Sequence, residues 1–422
     1  MHGARLKPFT LFASCLPGLE GLLDQELEEL GVGAREVLPG GVEFRGHARA
    51  ALRVAVGSGI ATRVLLRFER FRATRFETLR RRTSEIEWEH FLRDDEVFDV
   101  RADVAHCRLW HKGAVEERIA LGILDRLGLD RLAIAAKLSE RNRDDEGAGS
   151  NEHGDEDDEE TLPVVRVRAS GDRFGLALDL SGAPLWRRGY RQETAKAPLR
   201  EDLAHALVRV ALAGGPQTQG PVQGALQATA QTTAQSIVIG DPFCGSGTIG
   251  IEAAGIAAAL PPGRARRFAL ERTVLDAHCD IARAIEEIAA RRQPFEARIL
   301  MSDRDAGAIE ATRHNAARAG VLDRIEVACC AVSDAPLFAD EGTTVIATNP
   351  PYGDRVGGED LRGLYQRFGS LVCGRTAPTS VALVTADARL ARTMGLALES
   401  VVATEHGGKR VRFLRGVTPE PA

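Results

Sequence analysis

Short apolar runs alternate with amphipathic stretches through the second half of the chain. The runs are rich in β-branched residues and end at turn formers, which is typical of buried strands. Helix-period segments separate them, and this alternation predicts an open, doubly wound α/β sheet. The predicted strands are 236–239, 298–301, 325–329, 344–347, 380–385, 396–402 and 409–414. Because Gly407-Gly408 joins the last two, we expect a Rossmann-like, seven-stranded, mostly parallel sheet with an antiparallel last strand.

The first 182 residues show a less regular alternation of strands and helices. Residues 1–50 predict a small α/β unit, and residues 51–182 a second α+β unit. In the second unit, alternating apolar and polar positions around Ser170-Gly171-Asp172 predict a β-hairpin. The elements expected before it are strands at 9–12, 42–44, 63–68 and 97–104 and helices at 18–30, 51–57 and 114–127. The third predicted domain is 183–422.

Charge is unevenly distributed along the chain. Residues 140–160 hold eleven acids against Arg141 and Arg143, a charge of −9, so the rest carries +4 although the whole chain carries −5. Such a segment predicts a disordered insertion. Residues 213–235, rich in Gln, Gly and Thr, predict a low-complexity loop. The mildly basic remainder could bind phosphate only through local patches.

Membrane, secretion and metal signals are weak in this sequence. No apolar run approaches the roughly 18–20 residues of a membrane span, and the first residues lack a signal-peptide pattern. The seven cysteines have no C-x-x-C spacing, which argues against a metal site or a disulfide framework. We expect a cytoplasmic protein with reduced cysteines, no metal and no obligate protein partner.

A glycine-rich turn follows the first strand of the predicted sheet. Glycines at such a turn let a ligand approach the backbone, and the next helix offers free N-terminal amides. Gly245, Gly247 and Gly250 fit the dinucleotide pattern, which alone is weak evidence. Asp241 would repel a pyrophosphate but could engage the amino acid end of S-adenosylmethionine, which is therefore the expected cofactor. The predicted cofactor-binding residues in this turn are Asp241, Phe243, Cys244, Gly245, Ser246, Gly247 and Thr248.

Three more acids follow the second and third strands. Asp303 ends the second strand, where a carboxylate can accept hydrogen bonds from both ribose hydroxyls. Asp305 should cap the helix that follows. Asp334, after the third strand, either contacts the adenine amino group or is an ordinary loop acid. We therefore include Asp303 and Asp334 in the predicted cofactor site.

The tetrapeptide Asn349-Pro350-Pro351-Tyr352 follows the fourth strand, where an open α/β sheet presents its site. The prolines impose a rigid, non-helical loop. The Asn349 amide could accept hydrogen bonds from a planar amine, and the Tyr352 ring could stack on a base. These four residues are the predicted catalytic group for methyl transfer to an exocyclic amine of a nucleobase. The alternative is a proline-stiffened loop without chemistry.

Arginines are dense between residues 63 and 82 and recur near residue 190. One interpretation is a solvated helix face, and the other is contact with the phosphates of RNA. The predicted RNA-binding residues are Arg72, Arg75, Arg80, Arg81, Arg82, Arg188 and Arg191.

Together these motifs resemble a known family. Residues 241–254 and 349–355, with Arg188-Gly189-Tyr190-Arg191 and residues 197–201, are similar to the THUMP-containing guanine-N2 RNA methyltransferases. The resemblance is strongest to the N2-methylguanosine-forming half of the bacterial 23S rRNA enzyme. It implies a ferredoxin-like unit at 1–50, a THUMP RNA-binding domain at 51–182 and an S-adenosylmethionine-dependent methyltransferase at 183–422. The implied partner is RNA, with rRNA favoured over tRNA.

Two other functions share part of this pattern. Adenine-N6 DNA methyltransferases also carry Asn-Pro-Pro-Tyr, but they need no THUMP-like module. A catalytically silent RNA-binding protein would keep the arginines without retaining both the glycine turn and Asn349-Pro350-Pro351-Tyr352.

Overall fold

The computed structural model describes residues 7–129, 161–194, 198–213, 237–352 and 361–418. These residues form two β-sheets, one of eight and one of seven strands. The acidic insertion at 140–160 and residues 214–235 of the low-complexity loop lie outside the described residues. Within the described ranges, no helix has the length and apolar character needed to cross a membrane.

The chain begins with a βαββαβ unit whose strands pair antiparallel in the order β2-β3-β1-β4. This is the ferredoxin-like arrangement. Residue 50 lies inside the second helix, so the predicted boundary there divides the unit, and we place its end at residue 67. The elements are β1 Phe9–Ser14, α1 Glu20–Glu29, β2 Arg35–Leu38, β3 Gly41–Gly46, α2 Ala48–Gly57 and β4 Arg63–Arg67.

The next unit extends the same sheet, because β4 pairs with β8. Strands β6 and β7 are parallel, and β7 and β8 form the predicted hairpin. Gly171 and Asp172 both have positive φ at its turn, as a two-residue connection of this kind requires. The elements are β5 Phe71–Arg72, α3 Phe76–Ser84, β6 Asp99–Ala105, α4 Lys112–Leu127, β7 Val164–Ser170 and β8 Arg173–Asp179.

The two faces of this eight-stranded sheet differ in polarity. Val165, Val167 and Ala169 of β7 are buried in the core that helices α1 to α4 share. Arg166 and Arg168, which alternate with them, point to the opposite face. The helices therefore cover one face, and polar side chains occupy the other.

The second sheet confirms the predicted doubly wound architecture. Its strand order is β11-β10-β9-β12-β13-β15-β14. Four neighbouring pairs are parallel, and β15 runs antiparallel between β13 and β14. The strands are β9 Ile237–Asp241, β10 Ala297–Asp303, β11 Ile325–Cys329, β12 Thr344–Thr348, β13 Thr379–Thr385, β14 Glu399–His406 and β15 Lys409–Val417.

Within the described residues, six helices accompany this sheet. One of them, α5, is buried almost throughout and packs on α6, β12 and β13. The parallel strands bring the ends of β9, β10 and β12 to one edge of the sheet. The helices are α5 Glu201–Ala213, α6 Thr248–Ala257, α7 Ile281–Arg291, α8 Ala306–Arg318, α9 Leu361–Cys373 and α10 Ala388–Arg392.

Candidate active site

The glycine turn joins the end of β9 to the first residue of α6. Gly245 and Gly247 have φ of 53° and 86°, values that side chains with a Cβ rarely adopt. A Cβ at Gly250 would lie 1.9 Å from Met301 Sδ of β10. Gly250 therefore lets α6 pack closely on the sheet, and this packing fixes where the N-terminus of α6 points.

Asp241 is the last residue of β9 and is 3% exposed. Its Oδ1 accepts a hydrogen bond of 2.6 Å from the Thr348 hydroxyl and one of 3.1 Å from the Phe243 amide. Among the described residues, its Oδ2 has no hydrogen-bond partner. Burial raises the pKa of Asp241 to about 7, although the bonds from Thr348 and Phe243 oppose the shift. A buried carboxylate with one free oxygen is suited to binding a cationic group.

Asp303 lies at the end of β10, beside the glycine turn. Its Oδ2 accepts from the Gly245 amide and its Oδ1 from the Asp305 amide, both at 3.0 Å. Asp305 caps α8, as predicted, since its Oδ1 accepts from the amides of Gly307 and Ala308. Asp334 ends a short turn after β11, and its contact with a cofactor stays a prediction.

The remaining turn residues are held from behind by α8, a contribution that the sequence patterns did not indicate. The Thr312 hydroxyl donates to the Gly245 carbonyl at 2.8 Å, and the Asn315 side-chain Nδ2 donates to the Ser246 carbonyl at 3.0 Å. Thr312 and Asn315 are fully buried polar residues. Their spacing of three places them on one helix face, and this spacing is the feature of the sequence that could have indicated their role. Cys244 is buried too, and burial raises its thiol pKa well above the usual range.

The predicted catalytic tetrapeptide begins directly after β12. The Asn349 side-chain oxygen is buried and, within the described ranges, has no hydrogen-bond partner. Pro350 is buried, and Pro351 and Tyr352 are half-buried, with Tyr352 packed against the large core. Residues 353–355, which belong to the motif, lie outside the described residues. A buried amide oxygen without a partner is positioned to accept a hydrogen bond from a ligand.

The glycine turn and the tetrapeptide lie side by side because β9 and β12 are neighbouring parallel strands. The bond between Asp241 and Thr348 joins the last residues of these two strands. Phe243 of the turn packs edge-on against Phe368 of α9, with ring centroids 5.3 Å apart. The two predicted groups therefore form one site at the carboxyl edge of the sheet.

A buried charge network links α6 to the N-terminal unit. His205 of α5 lies between two carboxylates, with Nε2 3.2 Å from Glu26 Oε1 and Nδ1 2.9 Å from Glu252 Oε2. Both ring nitrogens of His205 therefore face a carboxylate oxygen. Glu26 also accepts from the amides of Gly59 and Ile60. The helix that carries the glycine turn is thus fixed to α1 through buried groups.

The predicted RNA-binding arginines fall into three environments. Arg188 is 5% exposed and donates to the Gly59 carbonyl at 2.7 Å. Because a phosphate cannot reach this buried guanidinium, the structure contradicts the predicted contact of Arg188 with RNA. Arg191 is mostly buried and pairs with Glu201. Three of the predicted arginines lie on the surface helix α3, and all three form ion pairs. Arg80 pairs with Asp125, and both Arg81 and Arg82 pair with Glu85. Arg72 and Arg75 are exposed.

The sequence also led to predictions about the cysteines and about metal binding. All seven cysteines are free thiols. In the described parts of the chain, no three His, Cys, Asp or Glu side chains are grouped so as to hold a metal ion.

The strand order with its reversed last strand, the glycine turn after β9 and the tetrapeptide after β12 define the class of Rossmann-like methyltransferases. The matches to known families agree. Residues 224–411 match the RMKL-like methyltransferase domain, and residues 10–65 match the RlmL ferredoxin-like domain. The chain therefore contains an RMKL-like methyltransferase domain and an RlmL ferredoxin-like domain, which confirms the predicted resemblance.

Relatives are found both by sequence and by structure. A Ribosomal RNA large subunit methyltransferase K/L from Syntrophotalea carbinolica is 30% identical over 96% of this chain and 53% of its own length. The chain spans about half the length of the curated relatives that it matches. A Listeria monocytogenes protein described as a predicted N6-adenine-specific DNA methylase is 28% identical, with a TM-score of 0.73 over 99% of this chain and 97% of that one. SMU.472 complexed with SAH is 23% identical, with a TM-score of 0.76 over 99% and 100%, and shares the fold.

Proposed function

We propose that the protein transfers a methyl group from S-adenosylmethionine to the exocyclic N2 amine of a guanosine in RNA, with 23S rRNA as the substrate. The observation that carries this proposal is the buried, unpartnered side-chain oxygen of Asn349. It lies directly after the strand that is bonded to Asp241. A buried acceptor without a partner suits an N–H donor, and an exocyclic amine is such a donor.

The residues of the site fit S-adenosylmethionine. The free Oδ2 of buried Asp241 suits the ammonium of its amino acid end. Asp303 still has lone pairs for ribose hydroxyls, since each of its oxygens accepts one backbone amide. Phe243, Cys244, Ser246 and Thr248 would surround the cofactor, and Asp334 would reach the adenine. When bound, S-adenosylmethionine supplies an electrophilic methyl group.

The tetrapeptide would activate the guanine amine by positioning it. The lone pair of this nitrogen is delocalised into the ring, which makes it a poor nucleophile. Asn349 Oδ1 and the Pro350 carbonyl would accept hydrogen bonds from the two N–H groups of this amine. These bonds would favour a pyramidal nitrogen and aim its lone pair at the methyl group of S-adenosylmethionine. Pro351 keeps this loop rigid. Tyr352 would stack on a base that has been turned out of its helix.

The RNA substrate is supported by the relatives and by the domain that precedes the site. The curated relatives are named for the ribosomal RNA large subunit. We propose that residues 68–182 are a THUMP domain that binds RNA, following the ferredoxin-like unit. Transfer RNA is the alternative substrate within the same chemistry.

Replacement of Asn349 by alanine tests the proposal. The variant should bind S-adenosylmethionine as tightly as wild type in calorimetry and should lose methyl transfer to unmodified 23S rRNA transcripts. Tyr352→Phe should retain activity and Tyr352→Ala should lose it, because only the ring is needed for stacking. Near-normal turnover by Asn349→Ala would contradict the assigned role.

Nucleoside mass spectrometry identifies the product. With deuterated methyl donor, digestion of the rRNA should release labelled N2-methylguanosine, and rRNA from a deletion strain should lack one such site. The Listeria relative's description makes adenine the competing target. Labelled N6-methyladenine from DNA, with none from rRNA, would replace the proposed function by that alternative.

A further inference from the structure

The face of the eight-stranded sheet that the helices leave uncovered is rich in arginine near the β7–β8 turn. Arg72 of β5 pairs in register with Arg173 of β8, and Arg168 of β7 with Gly175 of β8. Arg70 crosses above Gly175, since a Cβ at Gly175 would lie 3.4 Å from the Arg70 side chain. We name this surface the arginine face; its exposed residues are Arg70, Arg72, Arg101, Arg168 and Arg173.

The carboxylates around the arginine face neutralise only part of its charge. Asp179 is buried between Arg63 and Arg166, at 2.5 and 2.7 Å. Asp99 pairs with Arg101, and Asp172 lies 3.9 Å from Arg72.

Three guanidinium groups remain. Within the described ranges, Arg70, Arg168 and Arg173 take part in no ion pair. Asp103 of β6 is the exposed acid opposite Arg168 in the strand register. One such acid against three cations leaves a surplus of positive charge, which is typical of a phosphate-binding surface.

An exposed aromatic ring stands at the same end of the sheet. Trp110 is 75% exposed, the largest exposure of any large hydrophobic residue in the described ranges. Its loop is tied to the β7–β8 turn, because the Arg108 amide donates to Asp172 Oδ1 at 2.7 Å and the Asp172 amide donates to Cys107 Sγ at 3.3 Å. A tryptophan exposed on a loop that is bonded to the turn before Arg173 is suited to stacking on an unpaired base.

We propose that the arginine face and Trp110 bind a single-stranded segment of the RNA substrate, with Arg70, Arg168 and Arg173 on its phosphates and a base stacked on Trp110. The inference rests on the proposed function for the identity of the RNA. A single strand is favoured over a duplex, because stacking on a side chain requires an unpaired base. The surface differs from α3, where the guanidinium groups of Arg80, Arg81 and Arg82 are already paired with Asp125 and Glu85.

The test compares two triple variants that remove the same charge from different surfaces. In Arg70→Gln/Arg168→Gln/Arg173→Gln, the Kd for a fluorescent single-stranded 23S rRNA segment should rise about ten-fold or more at about 0.1 M salt. Each lost phosphate contact should also reduce the slope of log K against log salt by about 0.7. Trp110→Ala should raise the Kd by about five-fold or more.

The control triple variant, Arg80→Gln/Arg81→Gln/Arg82→Gln, should change the Kd less than about two-fold, because these side chains form surface ion pairs of small energy. All replaced arginines are at the surface, so circular dichroism and thermal unfolding should show that every variant is folded. Equal losses in both triple variants would mean that only net charge matters and would overturn the assignment.

Methyl transfer separates this inference from the proposed function. With active wild type, the arginine-face variant should raise the KM for RNA and keep kcat. Unchanged Kd and KM in that variant would refute the binding surface alone. Weakened RNA binding together with inactive wild type would refute the proposed function alone. Concentration-dependent dimerisation that the variant abolishes would assign the face to a second copy of the chain.

Discussion

The Thr348 hydroxyl donates a hydrogen bond of 2.6 Å to Asp241 Oδ1. This bond joins the residue before the tetrapeptide Asn349-Pro350-Pro351-Tyr352, for which we propose a catalytic role, to the residue that opens the glycine turn. Of the two bonds that lower the pKa of Asp241 against the effect of burial, it is the larger. The charge of Asp241 therefore depends on Thr348.

Replacement of Thr348 by valine should weaken cofactor binding near neutral pH. The pKa of Asp241, already about 7, should rise further once the hydroxyl is gone, so a larger fraction would be protonated. The pH at which S-adenosylmethionine affinity is half-maximal should increase by about one unit, equivalent to about 1.4 kcal/mol. Calorimetric titrations across pH measure this. Thr344→Val, at the other end of β12, is the control and should leave the profile unchanged.

Asp241→Asn should stabilise the protein and remove cofactor binding. The folded-state pKa of about 7 lies above the ordinary aspartate pKa of 3.8, so this group lowers the stability of the fold progressively as pH rises from about 4 to about 7. The variant should gain free energy of unfolding relative to wild type, by a few kcal/mol at about pH 8 and much less at about pH 4. Urea unfolding at both values checks this. A loss of stability at the higher pH would contradict it.

Gly250→Ala and Gly255→Ala place the same methyl group on two turns of α6. At Gly250 the Cβ would meet Met301 Sδ at 1.9 Å, whereas at Gly255 it meets nothing within 4 Å. The first variant should lose about 1–3 kcal/mol through overpacking and bind the cofactor less tightly. The second should be neutral or gain up to about 1 kcal/mol. Equal melting temperatures would show that the helix can shift freely on β10.

Glu26→Gln should destabilise the buried network in a pH-dependent way. Burial alone would raise the pKa of Glu26, but the hydrogen bond and charge of His205, with Arg209 and Arg292, outweigh it and hold the pKa below its usual range. The stabilisation is therefore present above about pH 4.5 and is lost as pH falls below it. At about pH 7 the variant should lose about 3–5 kcal/mol.

Glu28→Gln on the same helix provides the control for this experiment. Its side chain is 72% exposed and lies 3.7 Å from Arg35, so its loss should cost less than about 1 kcal/mol. Denaturant unfolding of both variants from about pH 3 to about pH 8 should show a difference from wild type for Glu26→Gln that decreases towards the acid end. A difference that is constant with pH would exclude the charge as its origin.

The sequence was sufficient for the central strands of the second sheet because β9, β10, β12 and β13 contain short apolar runs, and 325–329 was placed at its observed bounds. The predicted strand 396–402 was less accurate, since β14 is Glu399–His406 and most of its residues are exposed. It failed where the deciding contacts are distant in the chain. Arg188 follows Trp186 and precedes Gly189 in a segment that looks exposed, yet its partners are the carbonyl of Gly59 and the carboxylate of Glu252. The bond of Asp241 to Thr348 depends on β9 lying beside β12, a pairing across more than a hundred residues.

Helix α3 shows a second kind of limit. Only Leu79 and Thr83 of its nine residues are buried, so its apolar stripe is too short to stand out against the arginines between them. The boundary at residue 50 was misplaced for a related reason: α2 and β4 complete the ferredoxin-like unit only through pairing with β1, which local patterns do not reveal.

The contact of His205 with both Glu26 and Glu252 has a consequence for substrate choice. The sheet that bears Arg168 is continuous with β1, and α1 is fixed to α6, the helix that follows the glycine turn. The distance from the arginine face to the methylated base would therefore be constant. The protein would then select its substrate by distance. Only a guanosine at that fixed distance from a single-stranded segment would reach Asn349, whatever the nucleotide sequence between the two.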